Sequence, residues 1–151
     1  MDASSTPPDL ADRPRSQEGG VPVPFACEDD EGGFDLRTVV KKRAIRCALS
    51  RVCGLCGISL GWPVAFLGST HEADDSRFHF PPLHEPCAEA ALDLYRPLGA
   101  GVLGIDAAPA DWVLLTTSGF EIERPADRRG DLRVVFRPNS VVERRTSPDA
   151  T

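Results

Sequence analysis

Residues 51–68 read RVCGLCGISLGWPVAFLG, and residues 78–95 read FHFPPLHEPCAEAALDLY. Each stretch carries a pair of soft or borderline donors two residues apart: Cys53 with Cys56, and His84 with Cys87. In the first pair, two intervening residues let both sulfurs converge on one point. Gly54 and Gly57 permit the tight turn in which amide N–H groups face the sulfurs. In the second pair, positions i and i+3 at the start of a helix share a face, one turn apart. The partial positive charge of that helix N-terminus also favours a thiolate at Cys87.

Three thiolates and one imidazole are a donor set that zinc takes in closed tetrahedral sites. The expectation is one structural zinc ion on Cys53, Cys56, His84 and Cys87. A redox CxxC would open a helix after a strand, whereas this one follows a predicted helix and precedes two predicted strands. A catalytic zinc keeps one position open for water. Four good donors close the site, so no catalytic residue is assigned to it. The zinc deaminases place an H-x-E element before their cysteine pair. Here the cysteine pair comes first and Glu85 adjoins a ligand, which excludes that chemistry.

A knuckle, then a β-hairpin, then a helix giving two ligands from its first turn resembles the treble-clef zinc finger over residues 52–95. The motif CGLCG…PPLHEPCAEAAL is also similar to that of actinobacterial zinc-finger-like proteins. The resemblance implies an α+β unit with a structural ion. It does not imply one activity, because treble clefs serve in nucleic-acid binding, lipid binding, nucleases and scaffolding. Its enzymatic alternative is a metal-dependent nuclease with a general-base histidine on the hairpin. His71, in an acidic loop with Glu72, Asp74 and Asp75, and His79 are the residues available for that role.

Working outward, residues 36–51 read as a helix, with Leu36, Val40, Ala44, Cys47 and Ala48 on one stripe. Cys47 on that stripe reads as a buried, inert thiol. Arg37, Lys41, Lys42, Arg43, Arg46 and Arg51 make the segment basic. They are the candidate nucleic-acid contacts, although no aromatic residue is interleaved for base stacking. Residues 62–67 and 77–80 read as the two strands of a hairpin around GSTHEADDS. From Asp111 the pattern is β: WVLLTT, FEIE, LRVVFR and VVERR are four short runs. FEIE and LRVVFR read as an antiparallel hairpin with Phe120, Ile122 and Phe136 on its apolar face.

The predicted fold class is therefore α+β: a treble-clef unit preceded by a basic helix and followed by a β-rich extension. One zinc-binding domain is expected over 34–145, with its core at 52–95 and the extension at 111–145. Residues 1–33, acidic and rich in proline, read as a solvated tail with Cys27 exposed in it; residues 146–151 read as a disordered C-terminus. The net charge of −6 across 151 residues argues against global attraction to nucleic acid or anionic membrane. No apolar run is long enough to span a bilayer, and the first twenty residues lack the apolar stretch of a secretory signal. With five cysteines, an odd number, a reducing cytoplasmic setting is expected. The functional expectation is a non-enzymatic interaction or regulatory module with a protein partner and no membrane. Nucleic-acid binding through residues 37–51 is the alternative.

Overall fold

The capping box that starts at Ser69 settles the middle of the chain. Ser69 accepts the Glu72 N–H at 3.1 Å, and the Glu72 carboxylate accepts the Ser69 N–H at 3.1 Å. This reciprocal pair satisfies two orphan donors, so the expected hairpin loop folds as a short helix. The computed structural model describes residues 13–15, 20–98, 102, 103, 105, 111–123 and 134–148. Within these, helix α1 is Lys41–Ser50, strand β1 is Val64–Ser69, helix α2 is Thr70–Asp75 and helix α3 is Glu85–Tyr95. Strand β2 is Asp111–Glu123 and strand β3 is Val135–Pro148. Among the described residues no helix is long and apolar enough to cross a membrane.

The three strands form one antiparallel sheet in the order β1-β2-β3, so the chain is α+β. The register pairs Phe66 with Leu115, Ile122 with Phe136 and Glu121 with Arg137. The expected pairing of FEIE with VVFR is therefore present. Residues 124–133, which include Gly130 of the expected turn, lie outside the described residues.

Several expectations are corrected. The four short runs are two long strands: Ser118 and Gly119 continue β2, and Pro138 to Ser140 continue β3. A register shift at Thr116/Thr117 absorbs the irregularity, with Thr117 Oγ1 bonded to the Asn139 carbonyl. Strand β3 also runs through residues 146–148, against the expected disordered C-terminus; residues 149–151 lie outside the described set.

The hairpin of 62–67 with 77–80 does not form. Strand β1 pairs with β2, and only an isolated bridge joins Ala65 to Leu83. Phe78 instead bridges Phe136 of β3. The segment 78–83 thus fastens both outer strands.

Helix α1 starts at Lys41 rather than Leu36. The Val40 N–H goes to the Ala26 carbonyl, and Leu36 accepts the Leu103 N–H, so these residues are committed elsewhere. Asp35 accepts the Arg37 N–H in a local turn and does not cap the helix.

The largest correction is at the N-terminus. Val21, Val23, Ala26 and Cys27 are buried in the core, and Phe25–Cys27 form a turn of 3-10 helix. The Tyr95 hydroxyl donates to the Pro22 carbonyl, tying this segment to the end of α3. The alternating apolar residues of VPVPFAC bury enough surface to offset the cost of ordering them. Residues 1–12 and 16–19, also placed in the solvated tail, lie outside the described residues.

The core behind the sheet is aromatic. Phe66 stacks on Phe78 with centroids 5.5 Å apart and meets Phe120 edge-on at 5.6 Å. Phe136 lies 6.2 Å from Phe66 and is fully buried. Phe136→Ala is expected to cost about 3–5 kcal/mol, against about 0.5 kcal/mol or less for the exposed Glu121→Ala; chemical denaturation reads both, and the reverse order would mean the sheet faces are misassigned. Deleting residues 1–33 is expected to lower the melting temperature by at least about 10 °C, since two buried valines alone contribute several kcal/mol. An unchanged melting temperature would place the segment outside the fold.

Candidate metal centre

Three elements bring the four candidate ligands together. The turn after α1 supplies Cys53 and Cys56. The Gly57 N–H returns to the Cys53 carbonyl at 2.9 Å, and the Cys53 N–H reaches the Ile58 carbonyl at 2.8 Å. Gly57 has φ +79°, a left-handed conformation that side chains resist. The Leu55 N–H points at Cys53 Sγ, 3.4 Å away, as expected of a knuckle whose amides face sulfur. From the other side, the bridge between Ala65 and Leu83 fixes the residue just before His84. His84 is the N-cap of α3 and Cys87 lies in its first turn.

The donor atoms of Cys53, Cys56, His84 and Cys87 all lie within 4.8 Å of one another, so the group could hold a metal ion. His84 Nδ1 is 3.4 Å from Cys56 Sγ and 3.7 Å from Cys87 Sγ. Its Nε2 lies 2.8 Å from the Ser59 carbonyl oxygen. A carbonyl only accepts, so Nε2 carries the proton and Nδ1 keeps its lone pair for a metal. This is the outer hydrogen bond usual for a metal-ligating histidine. Nothing in the sequence singles out Ser59, because its role is played by a main-chain carbonyl.

The electrostatics of the sulfurs also fit a cation. Burial opposes ionisation of Cys53, but hydrogen bonds from the Cys56 and Cys87 thiols and from nearby backbone amides hold it well below the ordinary thiol range. Cys56 and Cys87 are pushed up, chiefly by their hydrogen bonds to the Cys53 sulfur. The three sulfurs are thus coupled through their mutual hydrogen bonds. A divalent cation would stabilise three thiolates at once. The donor set therefore fits a thiophilic ion.

The other candidates lie apart from this group. His71 is exposed on α2, 3.4 Å from Asp75. His79 Nδ1 is held by Glu72 Oε2 at 2.8 Å, and the same oxygen accepts the His79 N–H. Glu72 is buried, so the pair fastens α2 to the 78–83 segment. Glu72, Asp74 and Asp75 do not form a shared cation site: Glu72 is taken by Ser69 and His79, and Asp74 by Arg144 at 2.9 Å.

Nor do the six basic residues present one face. Arg43 turns toward the N-terminal segment, bonding the Phe25 carbonyl at 3.1 Å and approaching Asp30 at 3.5 Å. Lys41 and Lys42 line a groove with Asp29, Asp30 and Glu31. Arg46 lies over the Phe25 ring, and Arg51 stacks 3.6 Å from the Trp62 ring centroid. Arg37 sits in the turn before α1.

The remaining cysteines are structural. Burial pushes the Cys47 thiol up to about 12, with Cys53 nearby adding to the shift. Cys27, expected to be exposed, is 1% exposed and donates weakly to the Leu36 carbonyl, 3.8 Å away. Burial raises its pKa further, with Asp35 contributing. In the native protein at pH 8, Cys27 and Cys47 are expected to react with a thiol reagent at least about a hundredfold more slowly than in denaturant. Mass spectrometry of the labelled chain reads this, and rapid native labelling of Cys27 would contradict its placement. No protein-family model, curated protein or solved structure matches this chain.

Proposed function

We propose that the chain is a small zinc-binding protein whose one ion is structural, and that it works without catalysis as an interaction module. The observation that carries this is the closed set of four donors, three sulfurs and His84 Nδ1, with the remaining nitrogen of His84 committed to Ser59. Thiolate-rich sites select zinc among the available hard and borderline ions, and four protein ligands leave no position for a reacting water. The treble-clef reading is supported by the knuckle and by the helix that gives two ligands from its N-terminus. The hairpin between them is here replaced by β1 and α2. Five free cysteines suit a reducing cytoplasm.

A protein partner is favoured over nucleic acid by the surface around Arg51. Leu49, Ile58 and Trp62 are 67%, 49% and 51% exposed; Leu49 follows Lys42 and Arg46 at helical spacing on α1, and Arg51 stacks on Trp62. Exposed aliphatic groups next to cations suit a partner carrying both apolar and acidic side chains. A nucleic-acid reading needs the basic helix, and the acidic residues 28–31 already engage its first turn.

Purified protein is expected to carry about one zinc per chain. Cys53→Ser and Cys87→Ser are expected to lose the ion and the circular dichroism of residues 52–95, because binding and folding are coupled. Full metal in Cys53→Ser would overturn the ligand set. Titration with single-stranded and duplex oligonucleotides tests the alternative: a Kd under about 1 μM that weakens steeply with salt would move the reading to nucleic acid.

A further inference from the structure

Strand β3 is an edge of the sheet, and its outer side is covered only near its start. There the Phe136 N–H and carbonyl exchange bonds with Phe78 at 2.8 and 2.9 Å. Further along, Glu143 to Ser147 pair in unbroken register with Thr116 to Trp112 of β2. Among the described residues, no main-chain group outside β2 bonds this stretch. The N–H and carbonyl groups of alternate residues therefore point outward without a main-chain partner.

Charged side chains lying along an edge usually guard it against a further strand. Here the two arginines of the stretch are drawn off it. Arg144 reaches Asp74 of α2 at 2.9 Å, while Arg145 reaches Glu85 and Glu89 of α3 at 3.1 and 3.0 Å. Neighbours on a strand point to opposite faces, so the open edge runs between α2 on one face and α3 on the other. Glu143 is exposed and has no ion pair among the described residues. The carboxylates of Asp74, Glu85, Glu89 and Glu143 thus outnumber the two guanidiniums around this edge. Val141 and Val142, 52% and 64% exposed, add an apolar end to it.

A second copy of the chain fits this edge poorly. Two-fold antiparallel pairing sets one residue opposite itself. Centred on 143, 144 or 145, it would oppose like charges, which is destabilising. Centred earlier, it meets the bulge at Val142 and Ser140, whose φ is +51°.

We propose that Glu143–Ser147 is a docking edge that takes an extended basic segment of a partner protein as an added strand. Main-chain bonds to the open edge supply affinity, and the surplus carboxylates select lysine or arginine on the incoming segment. An apolar residue of that segment packs on Val142. This surface is separate from the one around Arg51, and the inference does not depend on the metal.

The test titrates full-length protein into a short, blocked, fluorescently labelled peptide of alternating lysine and valine, read by anisotropy. Glu143→Lys is expected to weaken binding by about fivefold or more. Glu31→Lys makes the same change in net charge on the N-terminal segment, and is expected to stay within about twofold of wild type. A peptide with glutamate in place of lysine is expected not to bind. N-methylation of one alternate set of peptide amides is expected to abolish binding, and of the other set to spare it, because a strand pairs through one edge. Failure of the lysine peptide to bind would overturn the proposal. Equal loss in the two charge variants would reduce the effect to bulk charge, and equal binding of the two methylated peptides would exclude an added strand; either result overturns it. A dimer in sedimentation that the lysine peptide dissociates would assign the edge to a second copy instead.

Discussion

Gly54 is gripped from two directions, and much of the structure depends on that grip. Its carbonyl accepts the Ala26 N–H and its N–H donates to the Pro82 carbonyl. Three segments far apart in sequence meet at this one peptide, between the two cysteines of the knuckle. A side chain at residue 54 would strike Phe80 and Pro81, so glycine is required by close approach. Buried backbone groups must be paired, and here the pairing is shared between the N-terminal segment and the strand-like stretch leading into α3. The donor cluster is then the chemical counterpart of the same junction: two ligands from the gripped turn, two from the helix that follows the gripping segment.

Charge follows the same geometry. The chain is acidic overall, and its basic helix would stand out on that background. Acidic residues 28–31 instead lie across the first turn of α1, where the partial positive charge of the helix N-terminus also favours them. Val40 provides no side-chain cap for that turn, so the neighbouring carboxylates are the only local anions among the described residues that line this groove. Within this positive stripe Arg43 pairs with Glu28 and Asp30, while Lys41, Lys42 and Arg46 stay exposed. Leu49, Ile58 and Trp62 are also exposed.

Local chemistry made the ligand set legible. The spacings Cys53–Cys56 and His84–Cys87 depend only on turn and helix geometry, and the structure brings all four together. The β pattern of FEIE and VVFR was legible for the same reason: alternation with period 2 survives in any antiparallel pair. Other features are encoded but masked by competing local signals. Ser69 with Glu72 three positions later is a capping-box signature, hidden because GSTHEADDS also looks like a polar loop. Val21, Val23, Phe25 and Cys27 alternate, but proline and acid around them suggested solvation. Ser118-Gly119 and Pro138-Asn139-Ser140 carry turn residues, yet they face each other across β2 and β3, where a bulge accommodates them. Pairing partners such as β1 with β2 are non-local and leave no trace in either segment alone. Nothing in the sequence joins Phe25 to Gly57, because that contact depends on where a distant segment docks.

The sheet and the donor cluster are linked by a short run of chain, residues 78–84. At one end Phe78 pairs with Phe136 and stacks on Phe66; at the other Leu83 pairs with Ala65 and His84 caps α3. Pro81 and Pro82 between them restrict the backbone to extended conformations, so the position of the aromatic core constrains the position of His84. Arg145 on β3 reinforces this from the far edge, reaching Glu85 at 3.1 Å and Glu89 at 3.0 Å on α3. The helix that carries half of the ligand set is therefore positioned by the sheet. The knuckle that carries the other half is positioned on one side by the same run and on the other by the N-terminal segment. An ion bound at the cluster would cross-link these two supports, which is why metal binding and docking of the N-terminal segment should stabilise each other.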